Sequence, residues 1–386
     1  MIEIEQLNKN EISYKLLKRL NGLGVSGIHF EEPIIGPIIT GYPITLKKDN
    51  IAIKSILSKE QDLAMAVGVD SITIERIGEQ LIIFVPNKEK KVVDFKDSLF
   101  WFLKDEKVSK MQLPILLGTD YMGNGAAFDL AEQPHVLIAG STGSGKSIFE
   151  SSIIAALSMF KSPKDLDLFL VDTKELDLGL FRSLPHVRDT AGTIEDWYIL
   201  ITKLKELVKE RNIKLSSKGV RNIAEYNKMG GNMHYIVLII DELADLIEKD
   251  LVYREEEKAN CKMMNVPVSY QNAKVLDDLK RLIQVCRASG IHIIACTQRT
   301  STDIISGVVK ANFPTRISLR LPTWQDSATI LGQKGAESLL GNGDMLVRMA
   351  NSQSVERYHG PFVRLNDIEL ILTQREMILE SLGIGV

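Results

Sequence analysis

The sequence predicts an α/β fold, in which a mostly parallel sheet is covered by helices and a small α+β domain precedes it. From about residue 111 onward, short apolar runs alternate with helical patterns, as in a parallel sheet buried on both faces. One of these runs leads directly into a glycine-rich loop and then a helical pattern. The chain has 386 residues, 45% hydrophobic and 25% charged, which allows two or three globular domains. We divide it into residues 1–110 and 111–386.

Composition excludes several classes of protein. A formal charge of −3, from 47 basic and 50 acidic residues, excludes a wholesale basic coat for nucleic acid but allows a local basic patch. Cys261, Cys286 and Cys296 fit no metal or disulfide spacing and are expected to be small buried apolar groups. The polar amino terminus is no signal peptide, and no apolar run approaches the ~20 residues of a membrane span. We expect a soluble, cytoplasmic protein without membrane insertion.

The first 110 residues predict alternating helices and strands without an evident catalytic cluster. Two charged stretches, Lys88–Lys96 and Lys104–Lys110, are interpreted as a solvated surface and a linker. The predicted elements are a helix around Ile12–Leu20, a strand within Gly36–Leu46, a helix over Ile56–Val67, and two strands, Ile72–Glu75 and Leu81–Val85, joined by a turn.

The second part predicts five buried strands, all rich in Ile, Leu and Val without strict alternation. A helical pattern over Ile368–Leu382 ends the chain. The predicted strands are His135–Ala139, Leu166–Val171, Tyr235–Ile240, Ile291–Thr297 and Thr315–Leu319.

The decisive local signal is a phosphate-binding loop that follows the first of these strands and matches the pattern G-x-x-x-x-G-K-[ST]. Glycines let successive backbone N–H groups point at phosphate oxygens, and the following helix adds positive partial charge. Lys146 would reach the β- and γ-phosphates of ATP, and Ser147 would coordinate Mg²⁺. The residues of this loop are Gly140, Ser141, Thr142, Gly143, Ser144, Gly145, Lys146 and Ser147.

Two acids follow the strand Tyr235–Ile240 and complete the predicted nucleotide site. They fall at the carboxyl edge of the sheet, where α/β proteins bind ligands. Asp241 would hold Mg²⁺, and Glu242 would orient and deprotonate the attacking water. The same pair also suits the start of a helix, but beside a phosphate loop the nucleotide interpretation is favoured.

Two other strands also end in polar residues. Asp172, Thr173 and Lys174 follow one of them, and Gln298 and Arg299 follow another. Gln298 is a candidate for sensing the γ-phosphate or holding the water. Ordinary loop polarity explains these residues equally well, so the pattern leaves both interpretations open.

Taken together, the motifs resemble the motor region of the FtsK/SpoIIIE family of double-stranded DNA translocases, within the HerA–FtsK superfamily. The amino-terminal part resembles the family's α subdomain, and residues 111–386 resemble its β subdomain. The matching segments, in the family's order, are Pro134–Ser147, Leu184–His186, Lys218–Asn227, Ile239–Asp245, Cys286–His292, Thr297–Arg299, Val309–Arg316, Gly335–Leu346 and His359–Val363.

This resemblance implies a RecA-like P-loop NTPase core that assembles into a homohexameric ring around DNA, with ATP between neighbouring subunits. Arg287 occupies the position of the family's arginine finger, supplied in trans, although an arginine that caps a helix end is the alternative. Arg299 and Lys310 match positions that approach the DNA backbone, and Arg221 matches another channel loop. Such contacts would bind phosphates rather than read bases.

Local charge favours the same interpretation: from Lys203 to Arg221 the chain has seven basic and two acidic residues. A solvated helix face is the alternative, and it is the favoured interpretation for Lys203 and Lys205. The chain also departs from the family. A segment near Glu255–Lys274 is extra, Trp324 replaces a usual basic residue, and Ala328 replaces a usual arginine. As given, the sequence leaves no room for the family's winged-helix domain or membrane segments.

We therefore expect an ATP-dependent translocase of double-stranded DNA that uses Mg²⁺. Two alternatives stay open at this point. One is a viral genome-packaging ATPase of the same superfamily. The other is a nucleotide-regulated DNA-binding adaptor for plasmid or conjugative transfer, with little hydrolysis; the presence of Lys146, Glu242 and Arg287 argues against it.

Overall fold

The computed structural model describes residues 11–47, 52–77, 79–174, 177–263, 275–302, 304–305, 307–352 and 354–381. The chain forms two compact units. The smaller contains residues 1–93, 118–126 and 357–359, and the larger contains residues 94–117, 127–356 and 360–386. Among the described residues, no helix is both long and apolar enough to cross a membrane.

The smaller unit is built on an antiparallel sheet in the order β1–β3–β5–β4, with β2 paired to β3. Leu16 and Leu20 from one helix and Leu63 from another pack against Tyr42 and Ile83 of the sheet. The strands are β1 (Ile28–Phe30), β2 (Ile34–Ile35), β3 (Ile39–Leu46), β4 (Thr73–Ile77) and β5 (Gln80–Pro86), and the helices are α1 (Glu11–Gly22), α2 (Ile53–Leu57) and α3 (Glu60–Val67).

The single helix expected over Ile56–Val67 is two helices. Helix α2 ends at Leu57, and α3 begins at Glu60 after a two-residue turn. Helix α3 ends at Gly68, whose φ of 76° is the left-handed conformation that favours glycine at a helix end.

The linker expected over Lys104–Lys110 is instead mostly helical. Helix α4 (Phe95–Lys104) is followed by the short α5 (Glu106–Ser109). Asp94 and Asp105 cap the two helices by accepting hydrogen bonds from backbone amides in their first turns. Val108 of α5 is buried, as are Phe95 and Phe102 of α4, so the two helices are packed rather than an exposed spacer.

The larger unit contains a sheet in which β10, β9, β11, β12, β8 and β13 run parallel in that order, and β14 pairs antiparallel with β13. All five strands predicted from the sequence have the predicted bounds: β8 (His135–Ala139), β9 (Leu166–Val171), β11 (Tyr235–Ile240), β12 (Ile291–Thr297) and β13 (Thr315–Leu319). The other strands of the chain are β6 (Pro114–Asp120), β7 (Gly125–Asp129), β10 (Val187–Ala191), β14 (Asp344–Arg348) and β15 (Val355–His359).

Helices cover this sheet. Trp197, Leu204 and Leu282 are fully buried against strand residues such as Leu238 and Ile293. The helices are α6 (Lys146–Phe160), α7 (Ile194–Ser217), α8 (Ile223–Lys228), α9 (Leu243–Met263), α10 (Val275–Cys286), α11 (Gly307–Asn312), α12 (Trp324–Leu331) and α13 (Leu365–Ser381).

The strand register aligns the carboxyl ends of the central strands. Ala139 lies opposite Thr297 on one side and Ser318 on the other, and Ile240 lies opposite Val171. The loops after β8, β9, β11 and β12 therefore meet along one edge of the sheet.

The cysteine expectation is confirmed for Cys286 and Cys296, which are buried free thiols. The side chain of Cys261 lies outside the described residues, as does most of the extra segment near Glu255–Lys274. Helix α9 extends into that segment as far as Met263.

Candidate functional site

The phosphate loop turns between β8 and α6, and its glycines are required by close packing. A Cβ atom on Gly140 would lie 2.5 Å from Ser144 Oγ. Gly145 has a φ of 101°, and a Cβ there would lie 2.6 Å from the backbone nitrogen of Gly343. Both positions therefore exclude larger residues.

The loop that contains Gly343 packs against the phosphate loop. The Gly343 N–H donates to the Ser144 carbonyl at 2.9 Å, and the Gly360 N–H donates to the Gly343 carbonyl at 2.8 Å. Asn342 has a φ of 52°, the only positive φ of a non-glycine residue among the described residues. Asn342 and Gly343 belong to the matching segment Gly335–Leu346. Their contact with the phosphate loop joins residues about 200 positions apart, so no local sequence pattern predicts it.

Lys146 is buried and held by Asp241. Its Nζ donates to Asp241 Oδ1 at 2.7 Å and to the Asp241 carbonyl at 3.0 Å. Burial alone would lower the pKa of this ammonium, but the nearby carboxylates of Glu150 and Asp241 raise the pKa above its usual value. The lysine is therefore fully charged at neutral pH.

Glu150, which sequence reasoning missed, lies one helical turn after Lys146. Its Oε2 is 3.7 Å from Lys146 Nζ, and the side chain is 1% exposed. Burial raises the pKa of this carboxyl well above its usual value. Its spacing of four residues from Lys146 in a helix was the available signal, since such residues share one helix face.

Ser147 donates a hydrogen bond from Oγ to Asp177 Oδ2 at 2.9 Å. Asp177 follows β9, and sequence reasoning did not select it. Ser147 and Asp241, the expected Mg²⁺ ligands, supply hydroxyl and carboxylate oxygens, which Mg²⁺ prefers together with phosphate oxygens. The donor set therefore fits the ion, with Asp177 as a third oxygen donor beside Ser147.

Glu242 is fixed at the same edge by β12. Thr297 Oγ1 donates to Glu242 Oε1 at 2.8 Å, and the Gln298 N–H donates to Oε2 at 2.9 Å. The Glu242 side chain is buried, and Thr297 is fully buried. The sequence analysis includes Thr297 in the matching segment Thr297–Arg299 but does not predict its contact with Glu242.

The Gln298 side chain faces the phosphate loop, where its Oε1 accepts a hydrogen bond from Thr142 Oγ1 at 3.1 Å. These residues and Glu242 line a cavity of about 340 Å³, together with Ser141, Lys174 and Asp245. Arg299 also lines this cavity, and its guanidinium is ion-paired with Glu248.

Arg287 and Arg221 lie at the opposite edge of the sheet. Both line a cavity of about 820 Å³ that also contains Tyr235 and His292, at the starts of β11 and β12. A seven-residue strand such as β12 is roughly 20 Å long. Arg287 is thus too far away to reach the phosphate loop of its own chain.

The basic stretch from Lys203 to Arg221 is partly neutralised by the chain itself. Lys203 pairs with Asp189, and Lys205 pairs with Asp278. Arg211 is buried and donates to the Ser289 carbonyl at 2.8 Å. The ion pairs of Lys203 and Lys205 agree with a solvated helix face, whereas burial makes Arg211 unavailable to DNA in this structure. Lys310, on α11, is half-buried.

Comparison with known proteins identifies the family. The model of the FtsK/SpoIIIE family matches residues 103–302. The chain belongs to the FtsK/SpoIIIE family. It is 35% identical over 387 residues to the DNA translocase FtsK of Campylobacter jejuni, covering 95% of this chain and 38% of that protein. It is 35% identical over 362 residues to FtsK of Lactococcus lactis strain MG1363, covering 90% of this chain and 45% of that protein. The chain thus spans less than half the length of these relatives.

Solved structures share the P-loop ATPase fold. The pCW3 conjugation coupling protein TcpA, solved with ATPγS, has a TM-score of 0.61 and 21% identity, covering 95% of this chain and all of that one. The type VII secretion ATPase EccC of Thermomonospora curvata has a TM-score of 0.53 and 22% identity, covering 68% of this chain and 31% of that one. At these identities the likeness shows the fold alone.

Proposed function

We propose that the chain is the motor of an ATP-dependent double-stranded DNA translocase, which hydrolyses Mg²⁺-ATP at the subunit interfaces of a homohexameric ring. One observation carries this proposal. The Glu242 carboxylate is held by Thr297 and Gln298 at 2.8 and 2.9 Å, in the cavity that the phosphate loop also lines. A carboxylate suited to activating water therefore lies in the same cavity as the phosphate loop, and the two relatives named above are DNA translocases.

The phosphate loop would bind ATP through its backbone amides. When phosphates enter, Lys146 exchanges its contacts with Asp241 for phosphate oxygens, which frees the Asp241 carboxylate. Ser147 and Asp241 would hold Mg²⁺, with Asp177 close to Ser147. The ion, when bound, neutralises charge on the β- and γ-phosphates.

Glu242 would accept a proton from the water that attacks the γ-phosphate. Its two hydrogen bonds fix the carboxylate, and the Gln298 side chain beside Thr142 would orient the water or sense the γ-phosphate. Arg287 would come from a neighbouring subunit, because its own phosphate loop lies across the sheet.

Arg299 and Lys310 would contact the DNA backbone, with Arg299 leaving its pair with Glu248. Such contacts are independent of sequence, as a motor that moves along any duplex requires. Their strength falls as salt concentration rises, because phosphate contacts release counterions.

The test is ATP turnover with and without long duplex DNA, together with displacement of a third strand annealed to the duplex. We expect duplex to stimulate turnover and ATP to drive displacement. Glu242→Gln should still bind ATP but lose turnover by about 10³-fold, in the range seen when one group that stabilises the transition state is removed. Turnover that does not respond to duplex would contradict the motor and favour the adaptor.

A further inference from the structure

The cavity at the amino-terminal edge of the larger sheet is rich in cations. Its lining contains Lys110, Arg221, Lys228 and Arg287, against two acidic residues, Asp129 and Glu132. Its volume of about 820 Å³ is within the range of small-molecule and cofactor sites.

One of the two acids is already occupied. The Asp129 carboxylate accepts hydrogen bonds from the backbone N–H groups of Gln112, Leu113 and Ala131 at 2.7–2.9 Å. These three donors occupy its oxygens, and it forms no ion pair with either arginine among the described residues. Four cations and two acids line the cavity, so its charge balance is positive.

The two arginines are exposed and weakly held. Within the described part of the chain, the Arg221 guanidinium has no ion-pair partner, and that of Arg287 makes one long contact, 3.4 Å from Nη2 to the Glu132 carbonyl. Neighbouring Asn222 is used by the fold, since its side chain caps α8 by accepting from the Glu225 N–H at 2.9 Å. The arginines therefore present several N–H donors that the fold leaves unused.

In the cavity beside the phosphate loop, by contrast, the arginine has an ion-pair partner. Arg299 is paired with Glu248 within the chain, and Lys146 of the phosphate loop contacts Asp241. The charge that develops on a transferring phosphoryl group is commonly stabilised by an arginine. Among the residues that line the two cavities, the arginines without a carboxylate partner are those at the amino-terminal edge.

We infer that Arg221 acts with Arg287 as a paired-arginine site, which binds the terminal phosphate of a nucleotide held by the phosphate loop of a second copy of this chain. This inference rests on the proposed function, in which Arg287 acts in trans. It assigns Arg221 to the nucleotide interface rather than to the DNA channel, where the sequence resemblance placed it. Two planar guanidinium groups offer the bidentate geometry that suits a tetrahedral anion.

The experiment compares Arg221→Ala, Arg221→Lys and Arg287→Ala, with Lys164→Ala as a control for loss of an exposed cation outside the cavity. Turnover, ATP affinity and duplex affinity at several salt concentrations are measured for each. We expect Arg221→Ala to lower kcat by about 10- to 100-fold, in the range of one lost transition-state donor. Arg221→Lys should restore little of this loss, ATP affinity should stay unchanged, and Lys164→Ala should match the wild type.

Duplex binding separates the two roles of Arg221. An arginine that touches nucleotide leaves the salt dependence of duplex affinity unchanged, whereas a DNA phosphate contact lowers its slope by about 0.9. If Arg221→Ala lowers that slope and leaves kcat per bound complex unchanged, Arg221 is a DNA contact and the inference is overturned.

Failure of the paired-arginine site can be distinguished from failure of the proposed function. If Arg287→Ala abolishes turnover while Arg221→Ala turns over like the wild type, the trans arginine stands and the paired site is wrong. If the wild type shows no duplex-stimulated turnover, the proposed function fails, and the inference that rests on it fails too.

Discussion

The two edges of the larger sheet differ in how their charges are balanced. At the carboxyl edge three cations have an acidic partner in the same chain: Lys146 with Asp241, Lys249 with Asp245, and Arg299 with Glu248. At the amino-terminal edge Arg221 and Arg287 line a cavity without such partners among the described residues.

This difference indicates what each edge requires. A buried charge must be paired to be tolerated, so Lys146 is paired before any nucleotide binds. An exposed arginine can stay unpaired at little cost because water solvates it. Under the proposed function, the carboxyl edge would hold the nucleotide with charges that are already paired, and the amino-terminal edge of a second copy would supply the unpaired arginines.

The largest expected effect comes from removing the buried cation. Lys146→Ala leaves Asp241 and Glu150 without it, so we expect loss of ATP binding and a fall of about 3–5 kcal/mol in the free energy of unfolding. Lys249→Ala, at the partly exposed pair on the same edge, should cost about 0–1 kcal/mol. Denaturant titration and ATP titration check both, and unchanged ATP affinity in Lys146→Ala would refute the phosphate-loop assignment.

Acid should weaken the sheet through two buried histidines at its amino-terminal edge. Burial lowers the pKa of His135 to about 3 and that of His292 to about 4. Below pH 6.5 the unfolded chain therefore binds protons that the folded chain does not, and stability falls as pH falls towards these values.

The slope of this loss is about 1.4 kcal/mol per pH unit for each histidine. His135→Leu should make the stability profile shallower between pH 6 and pH 4, because the variant lacks the buried ring that must be protonated. Urea titrations at several pH values measure this, and an unchanged slope in the variant would show that His135 is not the group responsible.

One hydrogen bond to Glu242 can be removed by a substitution that leaves the carboxylate itself in place. Thr297→Val removes the hydroxyl that donates to Glu242 Oε1, and we expect kcat to fall about 10-fold with ATP affinity unchanged. Thr297→Ser keeps the hydroxyl and should recover most of the rate. If both variants lose activity equally, packing at Thr297 matters rather than its hydrogen bond.

The smallest effect concerns DNA. Lys310→Ala should reduce the salt dependence of duplex affinity by a slope of about 0.9, the value for one phosphate contact. Lys164→Ala, at an exposed cation in the turn before β9, is the control and should leave the slope unchanged. Equal slopes for both variants would remove Lys310 from the DNA contacts.

The sequence predicted the five central strands with correct bounds because each is an uninterrupted apolar run that ends at polar loop residues. The half-exposed edge strand Val187–Ala191 lacks such a run and was not predicted. The break between α2 and α3 was missed because apolar spacing continues across the turn.

Within the site, residues of the phosphate loop and the acids after β11 were predicted because they are contiguous in sequence. Asp177 was not selected, and the contacts of Thr297 and of the loop around Asn342 were not predicted although both lie in matching motifs, because these contacts join distant positions. Charge counting did not separate Arg211 from exposed cations for a related reason: its partners Ser289 and His234 are more than 20 residues away.

Mixing two inactive variants tests most directly whether the two edges belong to one site shared by two copies. Arg287→Ala subunits keep an intact phosphate-loop cavity, and Glu242→Gln subunits keep an intact arginine cavity. We predict that each variant alone has little duplex-stimulated ATP turnover and that their mixture regains a measurable fraction. A mixture that stays as inactive as its components, although native mass spectrometry shows mixed assemblies, would contradict the shared site.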